Sequence, residues 1–432
     1  MTPDHDAIHL EVFQNEYLPA GADVVDAVIT VTSSAGAGAT APPAAEIVMI
    51  DCSGSMDTPG SKMAAAKAAT ATAVDTLRDG VEFAVVAGRA DARMVYPRVP
   101  ELRVASPHTR AEAKLAVGEL VAQGGTAIGR WLTLANELFA RSRAEVRHAI
   151  LLTDGRDQHE TREQLTQRLR ACEGRFVCDS RGIGNNWVAD ELRLVASTLL
   201  GTADGLEDVR ELPAAFAAMT RAAMGKSFGD VSLRVWTPAG ATVRFVKQVY
   251  PSVVDLTARR TRVSDRIGDY PTGAWGAESR DYHISVGVPP GGLGEELLAA
   301  RVVLANSVGA NAPVLAPALV LATWTDDTAL ATGINQRVAH YTGQAELAAA
   351  IQDGLAAREA GDLATATSKL GRAVQLAAES GHEETATLLA RVVDVVDAHT
   401  GTVRLKQQVA SVDAEIASVR SVKTIRLKKA EL

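Results

Sequence analysis

The sequence predicts an α/β doubly wound (Rossmann-like) domain inserted in a β-sandwich and followed by a C-terminal helical bundle. Three observations predict it. Between residues 45 and 226, short apolar runs alternate with helix-length amphipathic segments, the pattern of a mostly parallel sheet covered by helices. Residues 8–34 and 228–330 alternate apolar and polar positions with a period of two, the pattern of half-buried strands. From about Gln336 the apolar residues recur at helical spacing.

The elements follow in order. Ile8, Leu10 and Val12 share one strand face, and Ala27, Ile29 and Val31 share another. Leu18-Pro-Ala-Gly-Ala-Asp23 between them reads as a turn, and the small residues of 33–44 read as a linker. Ile47–Ile50 is a buried strand, and Ser61 can cap an Ala-rich helix running to about Arg78. Strands at 83–86 and 94–96 precede amphipathic helices at 109–120 and 128–142. Val146–Thr153 is apolar enough for burial on both faces. Helices at 161–171, 187–200 and 213–224 enclose one more strand at 175–183. Further strands at 231–236, 243–246, 283–288, 301–304 and 319–324 form an all-β segment, with a turn at Pro289-Pro-Gly-Gly292. Two strands at 8–34 would be marginal alone, so they are expected to pair with that segment. Helices at 346–359, 363–378 and 383–399 are separated by Gly361-Asp362 and Ser380-Gly-His382. The domain boundaries expected are 1–44 (sandwich strands and linker), 45–226 (α/β domain), 227–335 (sandwich), 336–402 (helical bundle) and 403–432 (basic flexible tail).

Composition narrows the function. A net charge of −8 and an aromatic fraction of only 4% argue against a nucleic-acid-binding body. Cys52, Cys172 and Cys178 form neither a C-x-x-C pair nor a zinc ligand set, and suit a reducing compartment. Met1-Thr-Pro-Asp-His-Asp6 carries no signal-peptide pattern. The apolar run near 312–324 is broken by Pro313 and Pro317 and is too short to span a bilayer. A cytoplasmic chain without membrane partners is the expectation.

The most informative stretch is Ile47-Val-Met-Ile-Asp51-Cys-Ser53-Gly-Ser55, an apolar strand running into one carboxylate and two hydroxyls. Gly124-Gly-Thr126 adds a third hydroxyl. Leu151-Leu-Thr-Asp154-Gly155 is a second strand ending in a carboxylate. Asp51, Ser53, Ser55, Thr126 and Asp154 are hard oxygen ligands, suited to Mg²⁺ or Mn²⁺. In an open α/β sheet, Asp51 and Asp154 would both lie at carboxyl ends of strands, where ligands bind. These three segments resemble the metal-ion-dependent adhesion site of the von Willebrand factor type A family, over residues 45–225. The resemblance implies a protein-binding module of adaptor or scaffold type, whose metal is completed by an Asp or Glu of a partner protein. The five residues would then be recognition residues, not catalysts, and the chain would not be an enzyme.

Other signals are weaker. Asp157 and His159 could rim the site, but a solvated loop is the favoured reading of them. Gly182-Ile-Gly184-Asn-Asn186 could shape it but lacks the third glycine of a dinucleotide fingerprint. There is no P-loop, H-E-x-x-H or G-x-S-x-G. The alternatives are a Mg²⁺-dependent hydrolase at the same loop, for which no general base is visible, and an adaptor subunit of an ATPase or chelatase-like complex. The chain also resembles cytosolic actinobacterial members of the family associated with Ser/Thr kinase and forkhead-associated signalling. That resemblance, with the basic context Val422-Lys-Thr424-Ile-Arg-Leu427-Lys, makes Thr424 a phosphosite candidate.

Overall fold

The computed structural model describes residues 8–34, 41–306 and 317–427. The expectations for the N-terminal hexapeptide, for half of the 33–44 linker, for Pro313 and for Lys428 onward lie wholly or partly outside these residues. The chain divides into two compact units. One takes residues 41–229 and 408–420; the other takes 8–34, 230–306, 317–407 and 421–427. No helix among the described residues is long and apolar enough to cross a membrane.

The first unit is the α/β domain. Its sheet runs, edge to edge, through Ala203–Leu206, Val177–Asn186, Val146–Gly155, Ala44–Asp51, Glu82–Gly88 and Ala92–Tyr96. The first five strands are parallel and the last is antiparallel. Ala44–Asp51 is buried at every position because helices cover both faces. On one face, Val48, Ile50, Val85, Ile150 and Leu152 join Ala66, Ala69 and Ala73 of helix Ser61–Thr76, Val117 of Pro107–Gly118 and Phe216 of Leu212–Met224 in one core. The alanines let that long helix lie close to the sheet. On the other face, helix Ile128–Phe139 sets Trp131 against Gly88. Ser106 and Thr161 each close a capping box at a helix start.

Glu46, His148 and Asp179 lie on three adjacent strands near their amino ends. His148 Nδ1 is 2.9 Å from both Glu46 carboxylate oxygens, and Nε2 is 3.2 Å from Asp179 Oδ2. Burial by itself would lower the His148 pKa, but the two carboxylates overcome it and push it up to about 10.

Of the residues expected to be a flexible basic tail, 403–427 are ordered instead. Ser411–Arg420 is a helix of the α/β unit, packed on Ala189–Thr198 and Ala203–Leu206. Ile416, Ala417 and Val419 are buried, Glu415 accepts a 2.6 Å bond from the Ala189 amide at the start of a helix, and Arg420 pairs with Asp204 at 2.7 Å. The Arg420 charge, part of what suggested solvation, is met by Asp204.

The second unit holds two larger sheets. In one, Val24–Ser33 lies between Ile8–Gln14 and Glu278–Gly287, with Ile29 opposite Tyr282. Thr242–Tyr250 continues that sheet. In the other, Ile267–Gly276, Lys226–Trp236, Glu296–Asn306, Ala318–Thr325 and Tyr17–Pro19 follow one another. Trp275 from one sheet and Tyr282 from the other lie with ring centroids 6.5 Å apart. Helix Gln336–Glu359 sets Tyr341 and Val338 against Val28 and Val249 of the first sheet. Leu363–Glu379 and Glu383–Val392 complete the helical part. The third helix stops seven residues before its expected end, because Val393–Asp397 pairs with Thr402–Leu405 as a hairpin. Its β-branched run, Val392-Val-Asp-Val-Val396, suits a strand better than a helix. The expected bundle is therefore three helices and a hairpin.

Candidate metal centre

The strand order reverses at Ala44–Asp51. The next major strand, Glu82–Gly88, lies on one side and the later Val146–Gly155 on the other. The crevice beyond the carboxyl ends of such a pair is where doubly wound sheets hold ligands. Asp51 ends the first strand and Asp154 is next to last in the second.

Asp51 is wholly buried. Its Oδ1 accepts from the Ser53 amide at 2.7 Å and its Oδ2 from the Thr153 hydroxyl at 2.6 Å. Burial pushes its pKa up to about 6, against the lowering effect of these bonds. Ser53 Oγ lies 3.0 Å from Ser55 Oγ, and Ser55 Oγ donates to Asp154 Oδ1 at 2.6 Å. Thr126 is buried on the loop before helix Ile128–Phe139. That loop is held to the Asp51 loop by Gly54 N to Gly124 O at 2.9 Å and Gln123 N to Cys52 O at 2.6 Å. It is held to the Asp154 loop by the amides of Gln158 and His159, which donate to Thr126 O at 3.1 and 3.2 Å.

Gly155 tests whether a cation fits. A Cβ there would lie 3.7 Å from Ser55 Oγ and 3.8 Å from Thr126 Oγ1. The two hydroxyls thus both face the same backbone position, each within van der Waals range of it. All five expected residues come together: four through the hydrogen-bonded run from Asp51 to Asp154, and Thr126 across Gly155. Two carboxylates and three hydroxyls are a hard oxygen set that fits a small divalent cation. Among the described residues no group of three or more His, Cys, Asp and Glu is arranged to hold a metal, so this mixed set is the candidate.

The neighbouring residues divide into ties and bystanders. The Asp157 carboxylate accepts the Ile128 amide at 2.9 Å through one oxygen, and those of His159 and Glu160 at 3.1 and 3.0 Å through the other. It caps a helix and fastens the Thr126 loop, rather than sitting in a solvated loop. Burial and the nearby Glu160 push Asp157 up to about 6. Glu191, raised by burial to about 7, is engaged by the Asp157 amide at 3.0 Å. His159 is exposed, with its ring against Gly125. The Cys52 thiol is buried and pushed up to about 12, which keeps it a protonated spacer.

Sequence reasoning missed Thr153 and Lys62. Thr153 was visible between the strand and Asp154, yet its bond to Asp51 depends on strands remote in sequence. Lys62 opens the Ala-rich helix and reads as a solvated charge. In the structure its Nζ donates to Asp154 Oδ2 at 2.7 Å and to the Ser55 carbonyl at 3.3 Å, and its side chain is 8% exposed.

Thr424 is corrected by the structure. Its hydroxyl is buried and donates to Val249 O at 2.6 Å, and its amide bonds Pro251 O at 3.1 Å. Arg426 beside it pairs with the buried Asp281 at 2.6 Å, and Tyr341 bonds the same carboxylate. A hydroxyl so placed is closed to a kinase, because the flanking residues are fastened to a sheet rather than free.

Residues 45–204 match the von Willebrand factor type A domain, and residues 375–421 match the von Willebrand factor type A C-terminal domain. A solved von Willebrand factor type A protein from the actinobacterium Catenulispora acidiphila is 51% identical, covering 98% of this chain and 97% of its own, with a TM-score of 0.92. The ArnB paralog VWA2 from Sulfolobus acidocaldarius is 15% identical over 96% of this chain and 98% of its own, with a TM-score of 0.58. Human COPII-coat protein Sec24c is 10% identical over 89% of this chain and 57% of its own, with a TM-score of 0.51. The last two share the fold alone. No curated protein matches the chain.

Proposed function

This chain belongs to the von Willebrand factor type A family, and on that basis we propose that it is a metal-dependent protein-binding module of adaptor type. Asp51, Ser53, Ser55, Thr126 and Asp154 would hold Mg²⁺ or Mn²⁺. The ion would supply an electrophilic point for a carboxylate of a partner protein. The observation that carries this reading is the hydrogen-bonded run from Asp51 through Ser53 and Ser55 to Asp154, at the point where strand order reverses. Asp51 and Asp154 supply charge, and the hydroxyls supply neutral ligands that leave the ion unsaturated toward an outside anion. The nearby carboxylates of Asp157 and Glu191 accept backbone amides and tie together the loops around the site. In the same reading, the two sheets of the second unit are a β-sandwich interrupted in sequence by the α/β domain.

The test is calorimetry with MgCl₂ and MnCl₂ on the full chain, beside a pull-down with and without EDTA. Wild type should bind one ion and retain an EDTA-sensitive partner. Asp51→Ala should do neither while keeping its circular dichroism. Equal metal affinity in wild type and Asp51→Ala would overturn the assignment.

A further inference from the structure

The geometry points to Lys62 as a built-in cation of the metal centre, which lowers its hold on a divalent ion and raises the pull of the loaded centre on a partner's carboxylate. The inference rests on the metal reading above and concerns this chain's own residue toward that ion.

Three observations carry it. A lysine is rarely this buried unless paired, and here the partner is one of the two carboxylates of the centre. Lys62 also sits in the first turn of helix Ser61–Thr76, where the helix dipole disfavours a cation. Its ammonium is held there by Asp154 Oδ2 at 2.7 Å and the Ser55 carbonyl at 3.3 Å, against that field. Finally, the backbone across from it is shaped for its passage. Gly184 has φ +71°, and a Cβ there would lie 2.9 Å from Lys62 Cε and 3.3 Å from Nζ. Gly184, near the carboxyl end of strand Val177–Asn186, therefore makes room for the lysine stem.

The charge consequence is simple. Asp51 and Asp154 bring two negative charges and Lys62 returns one positive. A divalent ion entering this set meets a like charge close by and only one net negative charge, so it is held less tightly than by the two carboxylates alone. Once loaded, the centre keeps a net positive charge, which only an incoming anion removes. Metal and acidic partner should then reinforce each other's binding, as linked ligands must.

Lys62→Met removes the charge and keeps the length of the stem. In calorimetry of the full chain with MnCl₂, this variant should bind about tenfold or more tightly than wild type. Its thermal midpoint in EDTA should fall below that of wild type, and the rise on adding MnCl₂ should be larger, because the ion now replaces a missing counter-charge. Lys62→Arg, which keeps the charge, should stay near wild-type affinity. A second measurement needs no variant: MgCl₂ titrated into wild type should shift the Lys62 ε-methylene NMR signals together with the Ser53 and Ser55 amides. Lys62→Met binding metal with unchanged or weaker affinity, or ε-methylene signals that stay fixed while those amides move, would overturn the role of Lys62 and leave the metal reading standing. Failure of every chain to bind metal would overturn both.

Discussion

Replacing the two carboxylates that face His148 should remove a pH-dependent part of the α/β unit's stability. The perturbation is the double variant Glu46→Gln, Asp179→Asn, which keeps shape and removes charge. In the native chain the buried imidazole lies 2.9 Å from Glu46 and 3.2 Å from Asp179, and its pKa is pushed up to about 10. An ordinary histidine titrates near ~6.5. A pKa raised on folding stabilises fully below the unfolded value and loses that contribution as pH rises through the folded one. At about 1.4 kcal/mol per unit, the contribution is about 5 kcal/mol at and below pH ~6.5, about 2 at pH ~8.5, and near zero by pH ~10. Its upper end agrees with the ~3–5 kcal/mol lost when one partner of a buried ion pair is removed. With both carboxylates neutralised, the buried ring has nothing to hold its proton. The assay is urea unfolding between pH ~6.5 and ~10, followed through fluorotryptophan signals of Trp131 and Trp187, both buried in this unit. The stability difference between wild type and variant should shrink by about 1.4 kcal/mol per pH unit. Differences that stay constant, or that widen as pH rises, would refute the reasoning.

Two further outcomes are expected. Thr424→Val leaves the Val249 carbonyl unpaired and should cost ~1–3 kcal/mol of the sheet-containing unit's stability, while intact-mass analysis of folded wild type treated with a Ser/Thr kinase should show no phosphate on Thr424. Stoichiometric phosphate there without loss of stability would contradict the burial argument. Deleting residues 8–34 removes an interior strand carrying Val25, Ala27, Val28, Ile29 and Val31, all buried, and should abolish cooperative unfolding of that unit. A soluble deletion protein with a sharp second transition would count against it.

What the sequence made legible was local chemistry at strand ends. Asp51-x-Ser53-x-Ser55 and Asp154 can be read because an apolar strand fixes where each carboxylate emerges. The alternation of strands and helices from 44 to 224 was legible for the same reason. Ala203–Leu206 was missed because Ala-Asp-Gly-Leu has neither length nor β-branched residues, and only its neighbour Val177–Asn186 makes it a strand. Ile267–Gly276, with three glycines and a proline, reads as a loop until Lys226–Trp236 pairs with it. The tail misled through charge: Arg420 and Arg426 are drawn to Asp204 and Asp281, more than a hundred residues earlier. Lys62 is the same case at the site, since a lysine's partner cannot be read from its own helix.

The pairing of Ile29 with Tyr282 bears on how the protein is made. During synthesis Ile8–Gln14 and Val24–Ser33 emerge early and can form a hairpin at once. The other edge of Val24–Ser33 must wait for Glu278–Gly287. At ~5–20 residues per second that wait is on the order of ten to fifty seconds, far longer than a hairpin needs to close. Throughout it the nascent chain presents the open edge of a Val-rich strand to its surroundings, a template for mispairing with its neighbours on the same message. Yield in a heterologous host should accordingly respond to translation speed and to chaperones that cover strand edges.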